Sequence, residues 1–252
     1  MIDKSLYDKQ PIIKVEGMVK KFGSFIANDN ISFEVYPGEI FGFLGANGAG
    51  KTTAIRILSG LSRPTSGLVE VVGVNARTNP EGIKRKIGYM SQRFSLYNDL
   101  TLYENIRFFG GIYGLSLKQI QEGAKQLIQK LDIGELRNRK IGSVPLGWKQ
   151  KLAFSVAVLH KPSLVFLDEP TGGVDPLTRR QFWELIYDTA KQGVTIFVTT
   201  HYMDEAEYCD RLCILAEGQV KAIGSPSEIK QKFDAEDMDQ VFYQISRGGM
   251  DR

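Results

Sequence analysis

Cysteine is scarce in this 252-residue sequence, long apolar runs are missing, and charge is nearly balanced. A single cysteine pair at this spacing, Cys209 and Cys213, reads as reduced and packed rather than as a disulfide or a metal site, which suits a reducing cytoplasm. The apolar stretches, such as residues 164–167, fall far short of the roughly 20 residues a membrane helix needs, so the chain is not expected to cross a bilayer itself. Residues 1–7 lack the basic-then-apolar form of a signal peptide. With 32 basic and 29 acidic residues the formal charge is only +3, and no arginine-rich run is interleaved with aromatics, which argues against nucleic acid as a partner. No repeat or low-complexity segment occurs, and 42% hydrophobic residues suffice to bury a substantial core, which excludes a disordered chain. The length accommodates one large domain or a core with an inserted subdomain.

The chemistry concentrates first in Gly45-Ala46-Asn47-Gly48-Ala49-Gly50-Lys51-Thr52, which fits the pattern G-x-x-x-x-G-K-[ST]. It follows an apolar, strand-like run at 39–44 and precedes Thr53 and a helix-like segment at 53–58, the context this pattern requires. The glycines let successive N–H groups and a helix N-terminus point at phosphate oxygens. Lys51 then supplies a point charge near the β- and γ-phosphates and Thr52 a hydroxyl for Mg²⁺, so the stretch predicts binding of a nucleoside triphosphate. A second part is expected at a strand end, because Mg²⁺ on those phosphates needs a hard oxygen ligand opposite the loop. Residues 164–167 lead into Asp168-Glu169, where Asp168 is placed to hold the metal or its water and Glu169 to orient and deprotonate the attacking water.

Around these motifs the pattern changes three times. Short strands are expected at 12–16, 31–35, 39–44 and 68–72, separated by Pro-then-Gly turns. Helical spacing takes over at 102–113, 117–131 and 148–159, which reads as an inserted helical subdomain. Buried strands at 163–167 and 194–199 then alternate with helices at 176–191 and 203–208, followed by a strand pair over 211–224 and helices at 227–233 and 237–245.

In order and spacing, the chain resembles the ATP-binding subunit of ABC transporters over about residues 12–233. The resemblance implies an α/β fold: a phosphate-loop, RecA-like ABC ATPase core with an antiparallel β subdomain and an inserted α-helical subdomain. Core and β subdomain would occupy 12–92 and 161–224, the helical subdomain 93–160, and a tail 234–252. Gln92 stands where the family has the glutamine that touches Mg²⁺ or water and links the site to the helical subdomain. Gly172-Gly173-Val174-Asp175 looks like the loop that crosses the dimer interface, with Asp175 its acidic residue. His201 matches the histidine that contacts the γ-phosphate, and Phe22 lies where family members place an aromatic against adenine. Lys51, Gln92, Glu169 and His201 are thus the expected catalytic residues, and Thr52, Gln92 and Asp168 the expected Mg²⁺ contacts.

One element departs from the family. Its signature, ideally Leu-Ser-Gly-Gly-Gln, is here Val144-Pro145-Leu146-Gly147-Trp148-Lys149-Gln150. In the family this segment of one subunit grips the γ-phosphate bound to the other. Pro145 removes a hydroxyl and an N–H, a loss of about 1.5–3 kcal/mol for one charge-assisted donor. The N–H groups of Gly147 and Trp148 remain, since proline is tolerated in a first helical turn. Either the closed dimer accepts a wider signature, or the subunit contributes one weak site to a heterodimer. The form resembles subunits paired with bacterial ABC-2-type permeases, which implies ATP, Mg²⁺, a membrane permease, a second ATPase subunit (a homodimer rather than a heterodimer), export, and a place on the cytoplasmic face of the membrane. A weakly hydrolysing regulatory module, or a soluble ABC ATPase outside transport, is the alternative. Phe94, Leu96, Tyr97 and Leu100 suggest a docking site for a short permease helix, or a cap on the helices beneath.

Overall fold

Three segments consist entirely of buried residues, Ile40–Gly45, Leu164–Asp168 and Thr195–Thr200, the pattern of strands covered on both faces. In the computed structural model, which describes residues 10–92 and 96–247, they lie side by side at the middle of a six-stranded sheet. In chain order the strands are β1 (Ile13–Phe22), β2 (Phe25–Val35), β3 (Ile40–Gly45), β4 (Ser66–Val71), β5 (Val74–Asn75), β6 (Ile87–Met90), β7 (Leu164–Asp168), β8 (Thr195–Thr200), β9 (Arg211–Ala216) and β10 (Gln219–Gly224). The helices are α1 (Lys51–Leu58), α2 (Pro80–Lys84), α3 (Leu102–Ile112), α4 (Leu117–Lys130), α5 (Leu146–Ala157), α6 (Pro176–Ala190), α7 (Pro226–Lys232) and α8 (Met238–Arg247).

The large sheet has the order β10-β9-β3-β8-β7-β6, parallel except at β10, and the small antiparallel sheet the order β2-β1-β4-β5. Five phenylalanines, Phe33, Phe41, Phe43, Phe166 and Phe197, pack between the sheets with ring centroids 5.2–6.2 Å apart. The opposite face of the large sheet is covered by a second cluster that includes Ile106, Ile120, Phe154, Phe182 and Trp183, and Met238 and Val241 of α8 are buried in it. This is the arrangement that the resemblance implied: an α/β sheet, an antiparallel sheet and helical parts.

The parallel strands place the site. Leu44 pairs with Thr200, Thr199 with Asp168, and Leu167 with Met90, so the carboxyl ends of β3, β8, β7 and β6 come out in a row. The segments leaving them are the phosphate loop, His201, Glu169 and Gln92. In open α/β sheets the crevice outside these strand ends is where ligands bind.

Four elements differ from expectation. β1 and β2 run longer than 12–16 and 31–35, because Gly17, at φ +59°, forms an irregularity between Val15 and Met18 and the pairing resumes beyond it. α5 begins at Leu146, two residues before Trp148, since Pro145 takes the cap position and its carbonyl accepts from Lys149 N at 3.0 Å. The segment expected as a helix at 203–208 is a 3-10 turn, Asp204–Tyr208.

Candidate active site

β3 ends at Gly45 and α1 begins at Lys51, leaving Ala46, Asn47 and Gly48 exposed in the turn between them. Gly48 and Gly50 have φ of +84° and +100°, a region that admits glycine without strain. Gly50 has no room for a side chain either: a Cβ would stand 2.5 Å from Ala27 O and 2.6 Å from Asn28 Nδ2. β2 and the β9–β10 turn brace the loop, through Asn28 Nδ2 donating to Gly50 O (3.1 Å) and Gly218 N donating to Ala49 O (3.2 Å). No side chain caps α1, and Thr52 is exposed in its first turn with Thr53 half-buried beside it. Lys51 turns back over the loop, donating to Gly45 O at 2.7 Å and Ala46 O at 3.1 Å, with Glu169 Oε1 3.7 Å away. Burial pulls the Lys51 ammonium below its ordinary pKa, and Glu169 opposes the shift.

Glu169 is the meeting point. Its backbone is held at φ +48°, uncommon for a residue with a side chain, by its N–H donating to Thr199 O (3.1 Å) and Thr199 Oγ1 (3.0 Å). The carboxylate accepts from Gln92 Nε2 at 2.8 Å, and His201 Nδ1 lies 3.2 Å from the same oxygen. Asp168 points inward from the end of β7 and accepts from Thr199 Oγ1 at 2.7 Å. Burial raises its pKa, while the Thr199 hydroxyl works in the other direction. Residues 51, 92, 168, 169 and 201 are therefore one cluster, although 150 positions separate the first from the last.

Among the described residues no group of three or more His, Cys, Asp and Glu could hold a metal on its own. That suits Mg²⁺, which takes one or two protein oxygens and completes its shell with phosphates and water. Asp168, Thr52 and Gln92 are residues whose side-chain oxygens could hold such an ion.

Phe22, Gly147 and Asp175 are not part of this cluster. Phe22 is 55% exposed at the β1–β2 hairpin, with Lys20 Nζ 5.0 Å from its ring centre, and Phe25 beside it is 64% exposed. Gly147 and Asp175 line a different cavity, of about 410 Å³, with Pro145, Leu146, Trp148 and Gly173, and the phosphate loop is not in its wall. Asp175 caps α6, accepting from Thr178 N (3.0 Å) and Thr178 Oγ1 (2.6 Å), and these bonds hold its carboxyl below the usual range. Sequence reasoning missed three buried polar residues nearby. Asn105 Nδ2 donates to Tyr97 O and Thr101 O at 3.0 Å, Gln150 Nε2 donates to Gly172 O at 3.0 Å, and Glu205 is fully buried behind His201. None carries a local signal, since each stands beside charged residues that are not buried, Glu104, Lys149 and Lys151, and Asp204.

The family model described as ABC transporter matches residues 28–172, more than half of the chain. The chain belongs to the ABC transporter family. It is 42% identical over 241 residues to the probable multidrug ABC transporter ATP-binding protein YbhF of Escherichia coli K12, a match that covers 94% of this chain and 42% of that protein. The chain thus spans about two fifths of that relative's length. It is 34% identical to the linearmycin resistance ATP-binding protein LnrL of Bacillus subtilis, covering 91% of this chain and 74% of the relative. Its fold matches the ATP-binding cassette MJ0796, solved as a dimer in a post-hydrolysis state bound to ADP and Pi, with a TM-score of 0.76 at 25% identity over 84% of this chain and 98% of that one.

In this ABC cassette the altered signature leaves Leu146 46% exposed and Gly147 confined. Gly147 lies so close to α6 that a Cβ would stand 2.4 Å from Thr178 Cγ2, and Leu146 Cδ2 comes within 3.6 Å of where a Cβ on Gly173 would be. The double change Pro145→Ser plus Leu146→Gly restores the family's residues but replaces the proline that caps α5 and adds a flexible glycine to the helix start. ATPase activity is expected to fall by about twofold or more, as the loop that positions Gly147 loosens. A doubled kcat in a phosphate-release assay would mean instead that Pro145 and Leu146 weaken the site.

Proposed function

We propose that the chain is the ATP-hydrolysing subunit of a bacterial ABC-2-type exporter, driving a separate membrane permease by nucleotide-dependent dimerisation. The observation that carries this reading is the convergence of Lys51, Gln92 and His201 on one strained carboxylate, Glu169, at the strand ends beside the phosphate loop.

Lys51 and the N–H groups of residues 48–53 hold the triphosphate of ATP, and Phe22 supports adenine. Mg²⁺, when bound with Thr52, Gln92 and Asp168, supplies neutralising charge at the phosphate oxygens. Glu169 accepts a proton from the attacking water, Gln92 and His201 keep its carboxylate aimed, and the γ-phosphoryl group passes to that water, leaving ADP and phosphate. Gly147 and Asp175, away from the chain's own phosphate loop, are read as the face offered to the nucleotide of a second copy. ATP held between two copies favours the closed pair, and hydrolysis removes the contacts that favour it.

Among the described residues no helix is long and apolar enough to cross a membrane; on this reading the membrane-spanning part belongs to a separate permease and the chain works at the cytoplasmic face. The segment after Gln92 supports the contact. Phe94 lies outside the described residues, and Leu96 is 4% exposed, so it belongs to the core. Tyr97 is 51% exposed, its backbone N–H pinned by Asn105 Oδ1 at 2.8 Å, and its ring packs edge-on against the half-exposed Phe108 at 5.0 Å. Two exposed rings packed on each other, one of them five residues after Gln92 in the chain, suit a short apolar permease helix. The experiment measures phosphate release from Mg-ATP by the purified chain and its co-purification with its permease. Tyr97→Ser with Phe108→Ser is expected to keep the first within about twofold, the usual insensitivity of exposed sites, and to abolish the second. Absence of phosphate release from the unaltered chain, or retained co-purification, contradicts the reading.

A further inference from the structure

Glu205 is 0% exposed, yet it carries a carboxylate in a turn whose neighbours Asp204 and Glu207 face solvent. A buried carboxylate is costly unless its oxygens are hydrogen-bonded, and a packing role needs no charge. Its two oxygens are shared between two different segments. Oε1 accepts from Thr171 Oγ1 and Oε2 from Thr200 Oγ1, each at 2.5 Å. Thr171 is the second residue after Glu169, and Thr200 immediately precedes His201. The two residues that meet at 3.2 Å in the active site thus sit on chain segments joined behind it by one side chain.

The link reaches the backbone beside His201. Thr200 Oγ1, while donating to Glu205, accepts from Tyr202 N at 3.0 Å, so the peptide following His201 is tied to the same clasp. Arg179 of α6 closes the back: its Nε is 3.7 Å from Glu205 Oε1, its Nη1 donates to Asp204 Oδ2 at 3.1 Å, and its guanidinium lies 4.1 Å from the centre of the Tyr202 ring. Thr171 also opens the turn that leads through Gly172 to Asp175, and Gln150 of α5 grips that turn at Gly172 O. The 172–175 turn is therefore joined through Thr171 and Glu205 to Thr200, beside His201.

We propose that Glu205 is a positioning residue for hydrolysis, its two oxygens clasping Thr171 and Thr200 and so setting the separation of Glu169 and His201. Fully buried, it acts through Thr171 and Thr200 and not on the nucleotide directly. The inference rests on the reading of Glu169 as general base, so Glu169→Gln is carried as a control.

The test compares kcat, KM for Mg-ATP and melting temperature for the full chain and for Thr200→Val, Thr200→Ser, Thr171→Val and Glu205→Gln. Thr200→Val and Glu205→Gln are expected to lower kcat about tenfold or more with KM within about threefold, since misplacement of reacting groups by a fraction of an ångström acts on the chemical step. Thr200→Ser, which keeps the hydroxyl, should stay within about threefold of the unaltered chain in kcat. A role in stability alone would lower the melting temperature and leave kcat of the folded protein unchanged. Wild-type kcat in Thr200→Val, a parallel rise in KM, or failure of serine to rescue overturns the inference. If Glu205→Gln does not fold, the two valine variants decide, and if they too fail to fold the clasp serves stability and the inference is overturned. A normal rate in Glu169→Gln removes the active-site reading itself, whereas a slow Glu169→Gln beside a normal Thr200→Val removes only the clasp.

Discussion

Lys51→Ala is expected to abolish tight ATP binding while leaving the nucleotide-free fold as stable as before or more so. The ammonium is 4% exposed, and every partner it has is an oxygen: two loop carbonyls at 2.7 and 3.1 Å and Glu169 Oε1 at 3.7 Å. A flexible cation held on carbonyls at the mouth of the loop is the group that can move onto phosphate oxygens. The backbone N–H groups that remain are neutral donors fixed by Gly48 and Gly50. Losing one charge-assisted contact of about 3 kcal/mol corresponds to a rise in Kd of about 10²-fold, with full loss reached where several phosphate oxygens share the ammonium. The stability expectation has the opposite sign because burial disfavours the charged lysine, as its lowered pKa records. Removing the ammonium removes that penalty. Calorimetric titration with ATP and thermal melts with and without Mg-ATP check both statements: the melting temperature of the free protein holds, and the increase caused by nucleotide disappears. Equal ATP affinity in the two proteins would contradict the loop assignment.

Glu169→Gln should leave ATP binding intact and slow hydrolysis by about 10²–10⁴-fold, the usual worth of a positioned general base. The substitution isolates proton acceptance from geometry. The φ of +48° is held by bonds from the backbone N–H to Thr199, which an amide side chain does not alter. The Gln92 amide can still donate to the remaining carbonyl oxygen. What is lost is the ability to take a proton from water. With binding preserved and turnover stopped, an ATP-bound dimer should accumulate, and gel filtration with Mg-ATP reads it directly. A kcat within about tenfold of the unaltered chain would take the base assignment away from Glu169, since the loss of a general base exceeds that factor. Monomer alone in the column, with hydrolysis slowed, would leave the base in place and overturn the homodimeric sandwich.

Some of this site could be read before any coordinates because its logic is local. The phosphate loop is a strand, a glycine-rich turn and a helix in direct succession, so the residues that cradle phosphate are neighbours in the chain and their spacing carries the geometry. Asp168 and Glu169 likewise announce themselves as polar residues at the end of an apolar strand. Gln92 and His201 were legible only through the order of the family's motifs, because a single glutamine or histidine has no pattern of its own. Tertiary structure decided the rest. Lys51, Gln92, Glu169 and His201 meet because β3, β8, β7 and β6 are neighbours in the sheet, and strand order is set by which faces pack together, not by the sequence of any one strand. Leu96 and Tyr97 are adjacent and both apolar, yet one is core and the other surface, since Asn105 pins the turn with the tyrosine ring outward. Glu205 looks like one more acid in a solvated turn; only the folded chain puts it out of water, where desolvation makes two threonine hydroxyls from distant segments its necessary partners.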